Sequence, residues 1–330
     1  MKLKNLLSYS GLLLAFPFLN SCVSTEVIEP ADNEQPTQEL VINLSAPADA
    51  KTRAEDGYKL RYIAKIFKGA SSNSWGNKAI ARKEVIDGEV ANNKMVFQVE
   101  PNQDYGIMVF ADYIPSSYQP NESGLYTDYF YNTKNVDSDR RHTIRTTPGS
   151  DDQKVSADFF NNENYDSFFA FEQKYKGEEE LIVPMTLTRA TAKVIFQNNT
   201  STTGDCKVAI TQLTYSRHYD MDKDPTCFTN QLNPQNLTLP EASITEDNKD
   251  LFYFYTFAEK SNQKLSVFFD VTDSDSEKRN YQVSDIPIKP NFKTIVKGAY
   301  LPEILPEPQY GDLILHPSTN YSWEQESLEK

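Results

Sequence analysis

The side chains best suited to catalysis are few and scattered in this chain of 330 residues. A metal centre or a nucleophilic hydrolase needs histidines at a set spacing, or a histidine that the fold places beside a serine or cysteine. The three histidines lie in three different segments, at His142, His218 and His316. The chain has no G-x-S-x-G elbow and no glycine-rich phosphate loop. The sequence therefore predicts a protein that is not an enzyme and that has no cofactor.

Two acidic segments alternate carboxylates as a calcium loop does, but each lacks the rest of the motif. A calcium loop needs glycine at its sixth position. That position is proline in residues 220–225 (DMDKDP) and lysine in residues 273–278 (DSDSEK). We expect solvated turns at both and no metal site. The formal net charge of −14 also excludes nucleic acid as a partner, because phosphate binding needs clustered lysine and arginine.

Aromatic side chains in the polar segment between residues 115 and 180 are the clearest candidates for ligand contact. An exposed aromatic face can stack on a sugar ring or anchor a partner protein. Tyrosine also often buries its ring and keeps its hydroxyl in water, so these residues could instead cover the end of a sandwich. Both interpretations stay open for four residues: Tyr118, Tyr126, Tyr129 and Tyr131.

Cysteine chemistry depends on the compartment, since disulfides persist only in oxidising surroundings. Cys206 and Cys227 enclose a loop whose closure would stabilise the fold by roughly 3 kcal/mol if they were bridged. The sequence leaves open a disulfide between them or two separately buried thiols.

Cys22 is the third cysteine, and its surroundings predict covalent modification. Lys2 and Lys4 precede an apolar run that ends in Leu-Asn-Ser before Cys22, in the order of an export signal. A small residue directly before the cysteine resembles the bacterial lipoprotein box, where cleavage exposes a cysteine that is then acylated. We predict a signal peptide at 1–21, lipidation (palmitate) at Cys22 and an acidic tether at 22–38, so that lipid anchors the chain to an outer membrane. The alternative is an ordinary secretory signal with a chance cysteine.

Alternating apolar and polar residues begin at Glu39 and indicate short strands. In residues 59–67, Arg61 and Lys65 face away from the apolar side chains, which predicts a half-buried strand. Residues 105–113 are apolar on both faces and predict a central strand. Further strands are predicted at 39–45, 94–99, 181–187, 190–197, 207–215, 251–257, 264–271 and 280–287. A short helix is expected within 157–160 or 166–171.

This pattern predicts an all-β protein with minor helix, built from β-sandwiches. A second series of alternating strands starts near Val183. We therefore predict an N-terminal sandwich at 39–182 with long tyrosine-rich loops, a C-terminal sandwich at 183–302 and an arm with a late strand at 303–330.

Several segments, in order behind the export signal, resemble the fimbrillin superfamily of Bacteroidales-type gut and oral bacteria. They are LTRATAKVIF (187–196), DYFYNTKNV (128–136) with NNENYDSFFAF (161–171), and NFKTIVKGAYL (291–301), in which Val296 and Lys297 alter the usual spacing. The resemblance implies two transthyretin-like or immunoglobulin-like sandwiches and a role as a subunit or anchor of surface fimbriae.

The same resemblance implies a processing step. In that family an arginine-specific protease cuts after the first strand, and a donor strand from the next subunit fills the groove. Here cleavage would follow Arg53 and leave Ala54 as the new N-terminus, although any exposed loop carries an arginine or lysine. The late strand at 311–316 is the candidate for a donor strand or a self-capping strand. The acidic tail that follows it favours a terminal subunit, an anchor or a stand-alone lipoprotein.

Two functions compete at this point. The first is a structural, tip or anchor component of a fimbrium at the cell surface, with other fimbrial subunits and a host protein or glycan receptor as partners. The alternative is a surface glycan-binding lipoprotein of a nutrient-uptake system, which would share the lipid anchor, the tether and the exposed aromatics.

Overall fold

A computed structural model describes most of the chain after the predicted tether. The described residues are 37–47, 50, 57–69, 79–89, 93–133, 143–146, 156–174, 177, 181–221, 223–232, 237–261, 263–301 and, for the backbone, 314–318. Among them, no helix is long and apolar enough to cross a bilayer.

Strands dominate the described residues, as the all-β prediction requires. In chain order they are β1 (Gln38–Ser45), β2 (Tyr58–Lys68), β3 (Ala81–Ile86), β4 (Lys94–Val99), β5 (Tyr105–Pro115), β6 (Tyr131–Asn132), β7 (Thr143–Thr146), β8 (Phe168–Lys174), β9 (Ile182–Thr186), β10 (Thr188–Arg189), β11 (Thr191–Asn198), β12 (Gly204–Asp220), β13 (Thr226–Leu232), β14 (Leu237–Thr238), β15 (Ala242–Ile244), β16 (Asp250–Phe257), β17 (Gln263–Thr272), β18 (Lys278–Ile288), β19 (Lys293–Gly298) and β20 (Ile314–Ser318). Two short 3₁₀ helices lie at Ala157–Phe159 and Glu163–Tyr165. The helix expected within 157–160 is thus present, whereas most of 166–171 belongs to β8.

Two sandwiches follow one another along the chain. The first pairs a three-stranded sheet, ordered β4-β1-β9, with a five-stranded sheet, ordered β10-β8-β5-β2-β3. The second pairs β16-β11-β19-β20 with β18-β17-β12-β7-β6, and β13, β14 and β15 also pair with the long strand β12. The prediction of an all-β sandwich fold is confirmed.

The first strand of each sandwich takes the same position. β1 pairs antiparallel with β4 on one side and parallel with β9 on the other. β11 likewise pairs antiparallel with β16 and parallel with β19. In each sandwich a strand from late in the sequence thus lies parallel beside an early one.

The two sandwiches share strands as well as core. β6 and β7 come from the N-terminal half of the chain, yet β7 pairs with β12 of the second sandwich, from Thr143 opposite Asp220 to Arg145 opposite His218. Tyr131 of β6 is 1% exposed. Its ring packs 5.3 Å from Phe110 of the first sandwich and 5.3 Å from Phe257 of the second. The buried apolar side chains accordingly form one continuous core through both halves.

Two details differ from the sequence-based expectations. β9 and β10 still belong to the first sandwich, so the chain passes to the second sandwich after Arg189 and not near Val183. The half-buried interpretation of β2 was wrong, because Arg61 is 0% and Lys65 4% exposed. The chain segment that precedes β6 covers that face of the sheet, as described below.

The central position of β1 makes its inward side chains essential for the first sandwich. Leu40, Ile42 and Leu44 point into the core and Val41 lies half-buried on the other face. We expect Ile42→Ala to lower the free energy of unfolding by about 2–4 kcal/mol, since it removes a packed side chain from a closed core. Val41→Ala is the control and should cost about 1 kcal/mol or less. Denaturant unfolding of both variants measures this, and equal losses would contradict the central packing of β1.

Candidate functional site

The first feature of the candidate site is the pairing of β1 with a strand on each side. Six residue pairs, from Gln38 opposite Val99 to Asn43 opposite Lys94, join β1 to β4. On the other side, Val41 lies opposite Ile182 and Ser45 opposite Thr186 of β9. β1 is therefore hydrogen-bonded along both edges, although it lies close to the start of the described chain.

The outer edge of β9 is protected against strand addition. Val41 N donates to Leu181 O at 2.7 Å, and Leu187 N donates to Ser45 O at 2.9 Å, so the odd-numbered residues of β9 bond to β1. The even-numbered residues turn their backbone groups outward, and the central one is Pro184, which has no N–H. Proline at such a position weakens an edge as a template for a further strand.

The late strand predicted at 311–316 is present as β20, at Ile314–Ser318. It pairs antiparallel with β19, from Lys297 opposite Ile314 to Lys293 opposite Ser318. β20 thus covers an edge of its own second sandwich. Cys22, Arg53 and Ala54 lie outside the described residues, so the predictions of lipidation and cleavage stay predictions.

A buried ion network lies on the outer face of β2, β3 and β5. Arg61 donates to both carboxylate oxygens of Asp112, at 2.9 and 2.7 Å, and forms ion pairs with Glu84 at 3.3 Å and Asp128 at 3.0 Å. Burial alone would lower the pKa of Arg61, but these carboxylates, Asp112 foremost, raise it above its ordinary value. The guanidinium therefore stays charged in the protein interior.

This network fastens the segment 116–133 onto the sheet, and we call that segment the strap. Glu84 accepts a hydrogen bond from Tyr126 N at 2.8 Å, and Asp128 accepts one from Thr133 N at 2.8 Å. Lys65 Nζ donates to Thr133 O at 2.8 Å. Burial, followed by the nearby Arg82, lowers the pKa of Lys65 to about 7. The strap covers the charged face of β2 that the sequence pattern assigned to solvent.

Of the four candidate tyrosines, two are buried and two are accessible. Tyr126 is 6% and Tyr131 1% exposed, so the ligand-facing interpretation was wrong for both. The ring of Tyr126 is buried, and Lys59 Nζ lies 4.7 Å from its centroid. Tyr131 donates its hydroxyl hydrogen to the backbone oxygen of Tyr165, and burial raises its pKa well above the ordinary value.

Tyr129 and Tyr118 remain accessible on the strap. Tyr129 is 42% exposed, and its ring meets Tyr118 edge-on at 5.9 Å and an interplanar angle of 88°. Tyr58 of β2 lies 6.2 Å from the Tyr129 ring and is half-buried. Burial, followed by the neighbouring Tyr129, raises the pKa of Tyr58. These three rings form an aromatic corner on the surface, which we call the tyrosine corner.

Of the two alternatives that the sequence left open for Cys206 and Cys227, the structure has free thiols at both, with Cys206 buried and Cys227 half-buried. Cys206 lies at the start of β12 and pairs with Ala242, whereas Cys227 lies opposite Tyr219 near the far end of the same strand. At about 3.3 Å per residue these positions are on the order of 40 Å apart along β12. Burial raises the pKa of Cys206 to about 11, so its thiol stays protonated.

A second buried ion pair lies where the chain crosses between the sandwiches. Arg189 Nε donates to Asp166 Oδ2 at 2.8 Å, and neither side chain is exposed. Thr191 Oγ1 donates to the other carboxylate oxygen at 2.8 Å. Arg189 Nη1 lies 3.3 Å from Asn291 Oδ1, before β19. Sequence reasoning noted this arginine only as part of a resembling segment; its pairing with Asp166 carried no local signal.

Metal binding has no support among the described residues, where no three histidine, cysteine, aspartate or glutamate side chains are grouped to hold an ion. Residues 273–277 form a turn in which Asp273 Oδ1 accepts from the backbone nitrogens of Asp275 and Glu277, at 3.1 and 2.9 Å. Arg279 Nη1 binds the other oxygen of Asp273 at 2.7 Å. These contacts already occupy the carboxylate.

The strands and the site together define an all-β protein of two sandwiches, whose first strand is central and whose late strand covers an edge. The chain belongs to a family of unknown function, DUF6562, which it matches over residues 30–311. No significant match was found among curated proteins.

Solved structures of similar fold include fimbrial proteins. A fimbrial assembly protein from Parabacteroides distasonis is 15% identical, with a TM-score of 0.43 over 86% of this chain and 96% of that chain. The fimbrial anchor protein Mfa2 from Porphyromonas gingivalis is 11% identical, with a TM-score of 0.43 over 79% of this chain and 91% of that chain. Both are fimbrial proteins, the class that the sequence segments resemble.

Arg61 is expected to be essential for the stability of the fold, because it is the shared cation of the buried network. We expect Arg61→Met to lower the free energy of unfolding by about 3–5 kcal/mol, because it leaves Asp112, Glu84 and Asp128 without their shared cation. Lys68→Met is the matched control: Lys68 pairs with Glu100 on the surface, with side chains 44% and 48% exposed, and should cost less than about 1 kcal/mol. Chemical denaturation measures both, and a small loss in Arg61→Met would show that the strap does not depend on the network.

Proposed function

We propose that this protein is a fimbrial component of the bacterial cell surface, an anchor or terminal subunit held to the outer membrane by acylated Cys22. The observation that carries the proposal is the position of β1. It is a strand near the N-terminus, yet it is the central strand of its sheet, bonded on both edges.

The site that β1 occupies has the properties of a strand-accepting groove. Without β1, the facing edges of β4 and β9 would lie about 10 Å apart, twice the usual strand spacing, with unpaired backbone groups. The core would contain holes at the positions of Leu40, Ile42 and Leu44. A donor strand with an apolar side chain at every second residue satisfies both needs.

Two features favour an anchored or terminal role over an extending one. β20 pairs with β19 of its own chain. It is therefore not available as a donor strand for a neighbouring subunit. The residues that follow, NYSWEQESLEK, are acidic and polar after Trp323 and do not have the alternation of a donor strand. We infer that β1 stays in place and that the lipid at Cys22 stays attached.

The N-terminus of the protein in native cell envelopes tests this proposal. We expect intact mass and N-terminal sequencing to find an acylated Cys22 as the first residue, in a fraction that also contains fimbrial subunits. Cys22→Ser should move the protein out of the membrane fraction. A chain starting at Ala54 would contradict the anchored role and indicate proteolytic activation. An acylated chain that never associates with fimbriae would contradict the fimbrial role itself.

A second candidate function, glycan binding, is favoured by the tyrosine corner. Tyr129 and Tyr118 present two rings at a right angle on an exposed strap, with Tyr58 beside them. Such a corner offers one ring face for stacking on a sugar and phenolic hydroxyls for hydrogen bonds. The strap is fixed by the ion network, so the corner would be preorganised.

Binding to a panel of glycans tests the second candidate. We expect Tyr129→Ala to lower the affinity for any glycan that binds specifically by about fivefold or more, because a stacked ring contributes on the order of 1 kcal/mol to binding. Phe228→Ala is the matched control, since Phe228 is also an exposed aromatic but lies on β13. Tyr126 is unsuitable for this test because it is buried. Equal binding by the Tyr129→Ala and Phe228→Ala variants would rule the corner out as a sugar site.

A further inference from the structure

A cleft of about 330 Å³ opens where the two sandwiches meet. Residues of β8, β9 and β10 form one side, and turns of the second sandwich form the other. Phe171, Met185 and Tyr219 give it an apolar wall, and the exposed charged side chains that line it are Lys223, Lys260 and Glu172. Two lysines beside an apolar wall are notable in a chain of net charge −14.

The described part of the chain ends beside this cleft. β20 runs antiparallel to β19 and brings Ser318 opposite Lys293. Pro290, which lines the cleft, lies three residues before Lys293 along the same chain. Arg189, another lining residue, contacts Asn291. The direction of β20 therefore carries the following residues toward the cleft.

Residues 319–330, TNYSWEQESLEK, have the chemistry that the cleft would accept; we call them the tail. Trp323 is a large aromatic side chain suited to an apolar wall. Glu324 and Glu326 directly follow it and are complementary to lysines at a rim. At about 3.3 Å per residue, Trp323 can lie roughly 16 Å beyond Ser318, and the whole tail can reach roughly 40 Å.

The edges that flank the cleft limit how the tail can bind. Pro184 removes the central N–H from the outward edge of β9, so this edge is a poor partner for a pairing strand. Binding by side-chain insertion does not need those backbone groups. The aromatic anchor and the two carboxylates are sufficient for it.

We propose that the tail folds back onto its own chain and docks in this cleft, with Trp323 against Phe171 and Tyr219 and with Glu324 and Glu326 beside Lys223 and Lys260. The docked tail secures β20 on β19 and ties the two sandwiches together. This docking is independent of the proposed fimbrial role and would hold equally in a glycan-binding protein.

Tryptophan fluorescence tests the docking in the purified protein. The chain has two tryptophans, and Trp75→Phe leaves Trp323 as the only one. We expect the emission of Trp323 to be blue-shifted relative to free tryptophan and several-fold less sensitive to acrylamide quenching. In Lys223→Glu/Lys260→Glu, emission should shift to the red and quenching should rise several-fold, while thermal unfolding and circular dichroism report an intact fold.

A control and a rescue locate the docking site. Lys94→Glu/Lys207→Glu makes the same change of charge at exposed lysines of β4 and β12 that do not line the cleft, and should leave Trp323 protected. Adding Glu324→Lys/Glu326→Lys to the cleft variant should restore the protection. A water-exposed Trp323 in the starting protein overturns the proposal, as does protection that the cleft substitutions do not change.

The same readout separates a chain's own tail from that of a second copy. Docking within one chain predicts that emission and quenching are independent of protein concentration and that light scattering finds a monomer. Protection that is lost on dilution, together with a dimer, would place the tail in the cleft of a second copy and overturn docking within the chain.

Discussion

The hydrogen-bonding edges of the sheets are the constraint on which this fold depends. An open strand edge exposes backbone groups that would otherwise pair with another chain. Here β1 fills the gap between β4 and β9, and β20 covers β19. On the opposite edge of that sheet, Asn161 N donates to Tyr253 O and Tyr253 N donates to Asn161 Oδ1, both at 2.9 Å. Where no neighbour covers the edge of β9, Pro184 removes a donor.

The same requirement explains why the two halves of the chain cannot be separated cleanly. β7 supplies a pairing partner to β12, so part of the second sheet is built from the N-terminal half. The strap contains β6, so the ion network around Arg61 also fixes the start of the β6–β7 hairpin. Tyr131, at that start, packs against both sandwiches. The strap therefore connects the buried charges on β2 to the shared strand pairing at β12.

Sequence reasoning succeeded where a local pattern determined the structure. The alternation in β1 and β4 predicted their bounds within a residue, because one face of each strand is buried. It failed for Arg61 and Lys65, since only the strap, about sixty residues later, decides that this face is closed. For Tyr126 and Tyr131 the sequence left burial and ligand contact open for the same reason. Cys206 and Cys227 were left open because their separation depends on β12 being one strand of 17 residues. Ion pairs such as Arg189 with Asp166 join residues with no common motif, and they emerge only with the fold.

The connection between β1 and β2 limits whether a donor strand could replace β1. A strand that is bonded on both edges can be replaced at little net cost only if its replacement makes the same hydrogen bonds and fills the same holes. β1, however, remains joined to β2 through residues 46–57, so an intact chain keeps it at high effective concentration beside its own groove. A single cut within that connection, which contains Lys51 and Arg53, would make β1 a separable strand. Under the proposed fimbrial role, retention of the connection, and not the strength of β1 packing, would therefore decide between a terminal subunit and an extending one.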